Sequence, residues 1–465
     1  MTPSERICRT REDIETSLSL MQEKNFAARD ALTDKTSVLD YEHLVERRED
    51  GKAIWTKAFQ SAINEHEVVI VPRTDTPYFI DKTIVIPSRR RIMADLDAVI
   101  KKIPEMCTVL VRNQHVHDGS HAPIPTDDCD RNISISGGIW EDTDPARTLY
   151  HGTYDEENSM PGLDACMFFN NIEGLNLQNV KIVQAGGFGI QVGDLTCGVI
   201  ENITFEKTVA DGVHLNGNIR DLIVRNISGS VADDIVAFNM YDWQRSSISF
   251  GPIENVLCEN ISLDACSSYK AIRILPGKYT YTDGSIADCA MRDVIIRGVR
   301  GIETFKFYFQ SPPYNVTVGR EGGDSGEGDN IFIEDVEMTL SKPIDSFEEY
   351  VGGDIVLGTF ACFELGSNLG RVEMKSIRAT YDREKYPTAY FACIGPKSIR
   401  RGATEVFDPD LSSSIDTLVL DDIEINGKKL TESDISSYLH EIEFNNLYGD
   451  ERLSGKGVFK SITVK

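Results

Sequence analysis

Ile200-Glu201-Asn202-Ile203-Thr204-Phe205 is one copy of a phrase that recurs along the middle of the chain. The asparagines of its four copies fall 23, 24 and then 34 residues apart. A repeat of this length is typical of a solenoid, and the longer last interval predicts an inserted loop of about 10 residues. Asparagine suits a coil corner because it tolerates the left-handed conformation and hydrogen-bonds in ladders. The other copies are Leu177-Gln178-Asn179-Val180-Lys181-Ile182, Val224-Arg225-Asn226-Ile227-Ser228 and Cys258-Glu259-Asn260-Ile261-Ser262-Leu263.

The composition limits the classes of partner. The chain has 465 residues, with 48 Lys and Arg against 74 Asp and Glu, which gives a formal charge of -26. A surface of this sign, without a basic stripe, argues against nucleic acid and against an anionic membrane as partners. The first residues show no apolar signal region, no run approaches the roughly 18 apolar residues of a membrane span, and the ten cysteines have no paired spacing. We therefore expect reduced thiols, no membrane partner and a cytoplasmic protein.

The patterning divides the chain into three parts. Residues 1–60 mix apolar and charged residues without alternation and are predicted to be a helical segment that caps the open end of the solenoid. Short β-rich runs with Gly and Asn between them begin at Val68. Residues 61–430 are therefore predicted to form an all-β, single-stranded parallel β-helix. Residues 431–465 are expected to close the solenoid.

A second strand of each coil aligns across four coils when Asp211 and Asp233, 22 residues apart, are taken as equivalent. The alignment predicts an inward stack, an outward column and a column of residues that precede the strands. The stack is Ile190, Val213, Ile235 and Ile272; the outward column is Gln191, His214, Val236 and Arg273; and the preceding residues are Phe188, Asp211, Asp233 and Lys270.

This alignment gathers a candidate site. Asp211, Asp233 and Asp234 are expected on adjacent coils about 4.8 Å apart, the normal strand spacing. Three carboxyl groups at that distance are costly to ionise together, so one stays protonated as an acid while another stays charged as a base. An Asp ladder or turn caps, and for His214 a packed side chain, are the structural alternatives. The cleft would also hold Lys270, Arg273, His214 and Gln191.

The stretch from about Gly51 to Arg300 resembles the polygalacturonases and their relatives in glycoside hydrolase family 28, which are right-handed parallel β-helices. Ala210-Asp211-Gly212 is similar to the last two positions of the family's Asn-Thr-Asp-Gly element, and Ala232-Asp233-Asp234 is similar to its Gly-Asp-Asp element. Ile272-Arg273-Ile274-Leu275 is similar to its Arg-Ile-Lys element in all but the lysine. The resemblance implies a right-handed helix, with Asp233 as general acid and Asp211 and Asp234 activating water.

Departures from the family pattern bear on the substrate. No histidine lies between Tyr241 and Phe250, where the family's Gly-His-Gly element is expected. Leu275 stands in place of the lysine that, with the arginine, helps bind a uronic acid in the family. Tyr314 is a loose counterpart of the family's cleft tyrosine. The resemblance therefore implies the acid and base residues more fully than it implies a galacturonate substrate.

These residues predict a glycoside hydrolase that cleaves an O-glycosidic bond in an oligosaccharide, with inversion and by exo-action. Asp233 is the predicted acid, and Asp211 or Asp234 is the predicted base. No cofactor and no metal are expected, because the His115-Val116-His117 run and residues 322–329 lack a recognised ligand spacing. The candidate substrate-binding residues are His214, Lys270, Arg273, Gln191 and Tyr314.

Two other functions stay open at the level of sequence. A polysaccharide lyase or epimerase on the same fold needs a base to abstract the C5 proton, and Lys270 or Arg273 is the candidate. A non-catalytic carbohydrate-binding solenoid is the second alternative. The sugar, the linkage and the oligomeric state are not set by the sequence.

Overall fold

Consecutive coils of the chain pair through parallel strands in the computed structural model, and together they form a right-handed parallel β-helix. The predicted fold class is confirmed. The structure describes residues 9–106, 108–116, 128–142, 165–241, 247–281, 283–307, 326–341, 354–356, 360–387, 389–395, 398–400, 412–444 and 455–465.

Short runs of β-branched and aromatic residues favour extended backbone and form the strands, while Asn, Asp and Gly between them adopt positive φ and turn the chain. The strands of the first coils are β1 (Lys35–Ser37), β2 (Glu46–Arg47), β3 (Ala53–Ile54), β4 (Val68–Val71), β5 (Tyr78–Ile80), β6 (Ile84–Ile86), β7 (Arg90–Ala94), β8 (Val99–Lys102), β9 (Val111–Asn113), β10 (Asp130–Ser136) and β11 (Ile139–Glu141).

The middle coils contain the longest strands, β12 and β13, which run through two faces of the β-helix without a break. The strands of these coils are β12 (Ala165–Val183), β13 (Phe188–Thr208), β14 (Val213–Asn216), β15 (Ile219–Val231), β16 (Val236–Asn239), β17 (Ile253–Leu263), β18 (Ala271–Ile274), β19 (Gly277–Thr280), β20 (Ile286–Cys289), β21 (Met291–Ile302), β22 (Thr304–Phe307) and β23 (Glu327–Leu340).

The last coils carry shorter strands and a small helical turn. The strands are β24 (Asp354–Val356), β25 (Phe360–Leu365), β26 (Asn368–Tyr381), β27 (Ala389–Ile394), β28 (Ser398–Arg400), β29 (Ser413–Ile425), β30 (Lys428–Lys429), β31 (Leu439–Glu441), β32 (Glu443–Phe444), β33 (Gly455–Phe459) and β34 (Ile462–Val464). The helices are α1 (Arg11–Asp30), α2 (Thr56–Glu65) and α3 (Ile435–Tyr438), with 3-10 turns at Val38–Leu44 and Glu432–Asp434.

The predicted asparagine ladder is present at one corner of the middle coils. Asn179, Asn202, Asn226 and Asn260 all have φ between 56° and 57°. The side-chain amides of the last three each donate to the asparagine of the coil before, at 2.9, 2.8 and 3.0 Å in chain order. The ladder links the exposed corners of successive coils and holds them in register.

The N-terminal helix lies along the side of the β-helix, which differs from the end cap that we expected. α1 begins at Thr10, whose side chain accepts from the backbone N–H of Asp13. Its apolar residues Ile14, Leu18 and Met21 pack on outward side chains of the long strands. That strip is Val199, Ile223, Leu257, Ile295 and Phe332. An apolar strip on the outside of a solenoid needs a cover, which explains the side position. The predicted boundaries at residues 60 and 430 stay predictions.

Burial of α1 predicts a matched pair of variants. Leu18→Ala removes a side chain that is 1 % exposed, whereas Leu20→Ala removes one from the same helix that is 53 % exposed. We expect the first to cost about 3 kcal/mol, the usual size for a buried leucine, and the second less than about 0.5 kcal/mol. Amide hydrogen exchange of Arg11–Asp30 measures both. Equal protection in the two variants would show that α1 is not held by this face.

One face of the β-helix is polar on its outer surface, and we call it the polar sheet. It consists of β9, the first parts of β12 and β13, and then β14, β16, β18, β22, β25, β27 and β31, all paired in parallel. The inner side chains of all the faces form one continuous apolar core. The polar sheet therefore offers a rigid base for side chains that point outward.

The register within the polar sheet differs by one residue from the sequence alignment. Val213 pairs with Val236, not with Ile235, and Val236 pairs with Ile272. Asp211 is therefore level with Asp234, 23 residues on, and not with Asp233. Ile235 and Val236 are both fully buried, so the alternation of apolar and polar residues that fixes register in a half-exposed strand is missing here.

An antiparallel hairpin follows β18, a strand of the polar sheet. The segment from Tyr279 to Asp288 belongs to this hairpin of β19 and β20. The ring of Tyr279 stacks on that of Phe250 with centroids 3.7 Å apart, so the hairpin packs against the segment before β17. Among the described residues, none of the helices combines the length and the apolarity that a membrane crossing requires.

Candidate functional site

Asp211 lies directly before β14, and both of its carboxylate oxygens have partners. Its Oδ2 is 2.6 Å from Nδ1 of His214, and its Oδ1 accepts from the backbone N–H of Asp234 at 3.1 Å. The coils approach closely at Gly212, where a Cβ would lie 2.7 Å from the carbonyl oxygen of Ile235. The glycine thus permits the spacing that brings the two carboxyl groups together.

Asp233 and Asp234, in the turn before β16, share the guanidinium group of Arg273 on β18. The Nε atom of Arg273 is 2.7 Å from Oδ2 of Asp234, and its Nη2 atom is 3.4 Å from Oδ1 of Asp233. One oxygen of each of the three carboxyl groups lies within 4.8 Å of the others. The structure therefore brings together the three aspartates and the arginine that the sequence predicted.

The three carboxyl groups differ in their access to solvent. The Asp233 side chain is 9 % exposed, that of Asp211 is 3 % exposed, and that of Asp234 has no exposed surface. Asp233 is thus the carboxyl group with the most surface available to a substrate, and Asp234 lies beneath it.

Burial changes the acidity of two of these groups. It raises the pKa of Asp233 above the ordinary 3.8, although Arg273 acts in the opposite direction, and the nearby charge of Asp211 raises it further. Burial also raises the pKa of Asp234 well above 3.8, again against Arg273 and with the charge of Asp233. Buried carboxyl groups that repel one another keep a proton to higher pH than exposed ones, which is what a carboxylic acid catalyst requires.

His214 and Gln191 are buried rather than exposed on the outer surface of the polar sheet. Gln191 is 0 % exposed and His214 is 1 % exposed. The imidazole stacks on the ring of Phe188, with centroids 3.9 Å apart. Gln191 Nε2 donates to Oδ1 of Asn216 at 2.8 Å. The two residues predicted to bind substrate therefore support the groups above them.

Lys270 and Tyr314 do not join the described cluster. The Nζ atom of Lys270 is 3.9 Å from Oε1 of Glu303, and the side chain lines a groove of about 450 Å³ beside Arg300 and Thr339. The structure therefore does not place Lys270 beside the aspartates, where the alignment predicted it. Tyr314 lies outside the described residues.

A second cation beside the aspartates was not predicted. Lys306 of β22 is level with Arg273 in the next coil and is 1 % exposed. Its Nζ atom lies 4.2 Å from the centre of the Tyr269 ring, and its charge lowers the pKa of both Asp233 and Asp234. A lysine between two phenylalanines in a short strand was the available signal, but its direction depends on the register.

Among the described residues, the aspartate trio is also the one group of side chains whose spacing could hold a metal ion. Hard cations such as Ca²⁺ take several oxygen ligands and little competing positive charge. Here Arg273 contacts two of the three carboxylates and Lys306 adds a further charge. The donor set fits an acid–base site better than it fits a cation.

Comparison with solved structures supports the fold. The chain is similar to an exopolygalacturonase from Thermotoga maritima, with 13% identity over 96% of each chain and a TM-score of 0.52. It is also similar to a family 28 exopolygalacturonase from Yersinia enterocolitica, with 12% identity over 93% of this chain and 78% of the other and a TM-score of 0.46. No protein-family model and no curated protein matches the sequence. At 13% identity the similarity to the Thermotoga maritima structure shows a shared fold and nothing finer, and the fold implied by the resemblance is confirmed.

Proposed function

We propose that this protein is a glycoside hydrolase that cleaves a glycosidic bond in an oligosaccharide. One observation carries the proposal: two buried aspartates with raised pKa lie within 4.8 Å of a third, on the outer face of a β-helix and beside an arginine. A buried carboxyl group that keeps its proton, beside a second carboxylate, is the usual machinery for protonating a leaving oxygen and activating water.

The roles follow from exposure. Asp233 is the general acid, because it has the most exposed surface of the three and a pKa raised by burial. Asp211 is the base, because its side chain keeps some contact with solvent. Asp234 has no exposed surface and holds Arg273 in place. This arrangement selects Asp211 from the two bases that the sequence left open.

Inversion stays part of the proposal, although the carboxyl oxygens converge. The general rule gives roughly 6.5–9.5 Å between the carboxyl groups of inverting enzymes and about 5–5.5 Å for retaining ones, and here one oxygen of each carboxyl group lies within 4.8 Å of the others. A retaining enzyme, however, needs a carboxylate that touches the sugar carbon. Asp234 is fully buried and Asp211 nearly so. A small water molecule can reach Asp211 where a sugar ring cannot, which favours inversion.

A neutral sugar suits the site better than a uronic acid. Both contacting nitrogens of Arg273 face the carboxylates of Asp233 and Asp234, so the guanidinium is engaged by the protein. Leu275, in the family's lysine position, is 6 % exposed and apolar. A negatively charged ring would also meet the carboxylates themselves at close range. Exo-action on short chains is proposed together with a cytoplasmic location, where imported oligosaccharides are the available substrates.

The decisive experiment is a panel of neutral and uronic oligosaccharides. We expect turnover of a neutral oligosaccharide, with the first product formed having the anomeric configuration opposite to that of the bond cleaved. Proton NMR at early times measures both, and Asp233→Asn serves as the inactive control. A wild-type protein that cleaves nothing would overturn the proposal, and a retained anomer would overturn the assigned mechanism.

The lyase and epimerase alternative gains no support from the contacts. Its candidate bases are Lys270, which lies near Glu303, and Arg273, which contacts two carboxylates. An unsaturated product that absorbs in the near ultraviolet in the same panel would nevertheless identify it.

A further inference from the structure

The protonation of His214 can be deduced from its neighbours. The backbone N–H of Ile248 points at Oδ1 of Asn216 at 3.4 Å, and Gln191 Nε2 points at the same oxygen at 2.8 Å. A backbone N–H can only donate, so this atom of Asn216 is the acceptor oxygen and not the amide nitrogen. The amide nitrogen of Asn216 is then the atom that lies 3.2 Å from Nε2 of His214.

An amide nitrogen can only donate, so Nε2 of His214 accepts. The amide of Asn239 lies 3.4 Å from Nε2 and 3.3 Å from Nδ1 and so does not distinguish the two ring nitrogens, which leaves Asn216 as the contact that decides. A ring that accepts at Nε2 is neutral and has its hydrogen on Nδ1. That Nδ1 lies 2.6 Å from Oδ2 of Asp211.

We infer that His214 is a positioning residue, held as the neutral Nδ1–H tautomer, that fixes Asp211 in the orientation of a charged base. The inference rests on the proposed function. A neutral N–H fixes the carboxylate rotamer through one hydrogen bond and leaves its charge uncompensated, whereas an imidazolium would neutralise the charge. The oxygens of Asp211 keep lone pairs for the attacking water.

The same network ties the base to the segment before β17. Ile248, which orients Asn216, is followed by Ser249, whose Oγ donates to the carbonyl oxygen of Gly217 at 2.8 Å. Residues 247–249 therefore contact the end of β14, and through Asn216 they also determine which ring nitrogen of His214 carries the hydrogen. Among the described residues, the titratable groups around His214 include Asp211, Asp233 and Asp234, and Arg273 and Lys306 lie on the strands that follow. A charged His214 would lower the pKa of Asp233, so a neutral ring also leaves the proposed acid protonated to higher pH.

Two substitutions at His214 separate its hydrogen bond from its packing. His214→Phe keeps a ring that stacks on Phe188 but donates nothing, and His214→Asn keeps an amide N–H near the position of Nδ1. We expect the first to lower kcat about 10- to 100-fold, the effect of losing one hydrogen bond to a charged group. KM should change less than about twofold, because the residue does not touch the sugar. His214→Asn should recover most of kcat.

His66→Asn is the matched control. His66 also faces a carboxylate, with Nδ1 3.0 Å from Oδ2 of Asp34, but it is partly exposed and lies between α2 and β4, a strand that is not part of the polar sheet. We expect its kcat to equal that of the wild type. Equal kcat for His214→Phe and the wild type would overturn the inference.

A measurement that needs no turnover tests the tautomer. Nitrogen-15 NMR of histidine-labelled protein distinguishes an Nδ1–H ring from an Nε2–H ring and from imidazolium, and the signal missing in His214→Phe identifies residue 214. We expect Nδ1–H at neutral pH and a shift to imidazolium in Asn216→Asp, which offers Nε2 an acceptor. Any other form in the wild type overturns this inference even if the enzyme is active. The expected form without turnover overturns the proposed function instead.

Discussion

Asp233→Asn should lower kcat by about 10³-fold, the middle of the range for losing a general acid. The amide cannot transfer a proton to the leaving oxygen, and neither of the other two carboxyl groups of the trio is placed to do so. Asp234 is buried and contacts Arg273, while Asp211 is held by His214. Binding should persist, since Asn fills the same volume and Arg273 stays in place. Steady-state kinetics with the oligosaccharide identified by the panel measure the loss.

The fold should not suffer from this substitution. The raised pKa of Asp233 means that its charged form is disfavoured in the folded state, so replacing it with a neutral group removes a penalty at neutral pH. We expect a thermal midpoint at or above that of the wild type. Asp97→Asn, at a side chain that is 73 % exposed, is the control for activity. An Asp233→Asn protein with more than about a tenth of wild-type kcat would refute the assignment.

The pH dependence of the wild type gives a second check on Asp233. A general acid works only while protonated, so kcat/KM should fall as the pH rises through the pKa of this residue. Because burial raises that pKa above 3.8, the alkaline limb should lie at a higher pH than an exposed aspartate would give. A limb at or below pH 3.8 would point to a different acid.

The fold could be predicted well from the sequence because one residue type, asparagine, marks the same corner in successive coils. Asn179, Asn202, Asn226 and Asn260 each combine positive φ with a side chain that reaches the next coil, and few residue types do both. Such a pattern is local and repeats, so it can be recognised in the sequence without knowing which residues contact one another in the fold. The placement of α1 was not readable, because the apolar strip that it covers is spread over strands far apart in the sequence.

The sequence predicted which residues form the aspartate and arginine cluster, but it did not predict how their strands pair. The polar sheet is buried on both sides at Ile235, Val236 and Ala237, so hydrophobicity could not distinguish two alignments that differ by one residue. The slip paired Asp211 with Asp233 instead of Asp234. Outward direction also did not mean exposure, since His214 points away from the core and is still covered by Phe188 and two asparagines.

Arg273→Met should produce the largest loss of stability among the substitutions considered. It removes the cation that contacts Asp233 and Asp234, both nearly or fully buried. Breaking a buried ion pair from one side typically costs about 3–5 kcal/mol, because the remaining charge is uncompensated. We expect a loss of that size in the free energy of unfolding at pH 8, measured by urea denaturation. Arg220→Met, at a side chain that is 65 % exposed and 3.5 Å from Glu254, should cost less than about 0.5 kcal/mol.

The pH dependence of that loss distinguishes charge from packing. Without Arg273, which lowers the pKa of Asp233 and Asp234, both pKa values rise further above 3.8. A carboxyl group with a raised pKa in the folded state destabilises the fold as the pH rises through that pKa, and the penalty disappears below the unfolded value. The deficit of Arg273→Met should therefore be large at pH 8 and small near pH 4, and Asp234→Asn added to it should restore part of the stability at pH 8. A deficit that is equal at both pH values, or that is unchanged by Asp234→Asn, would mean that Arg273 acts through packing, and that the carboxyl cluster does not depend on its charge.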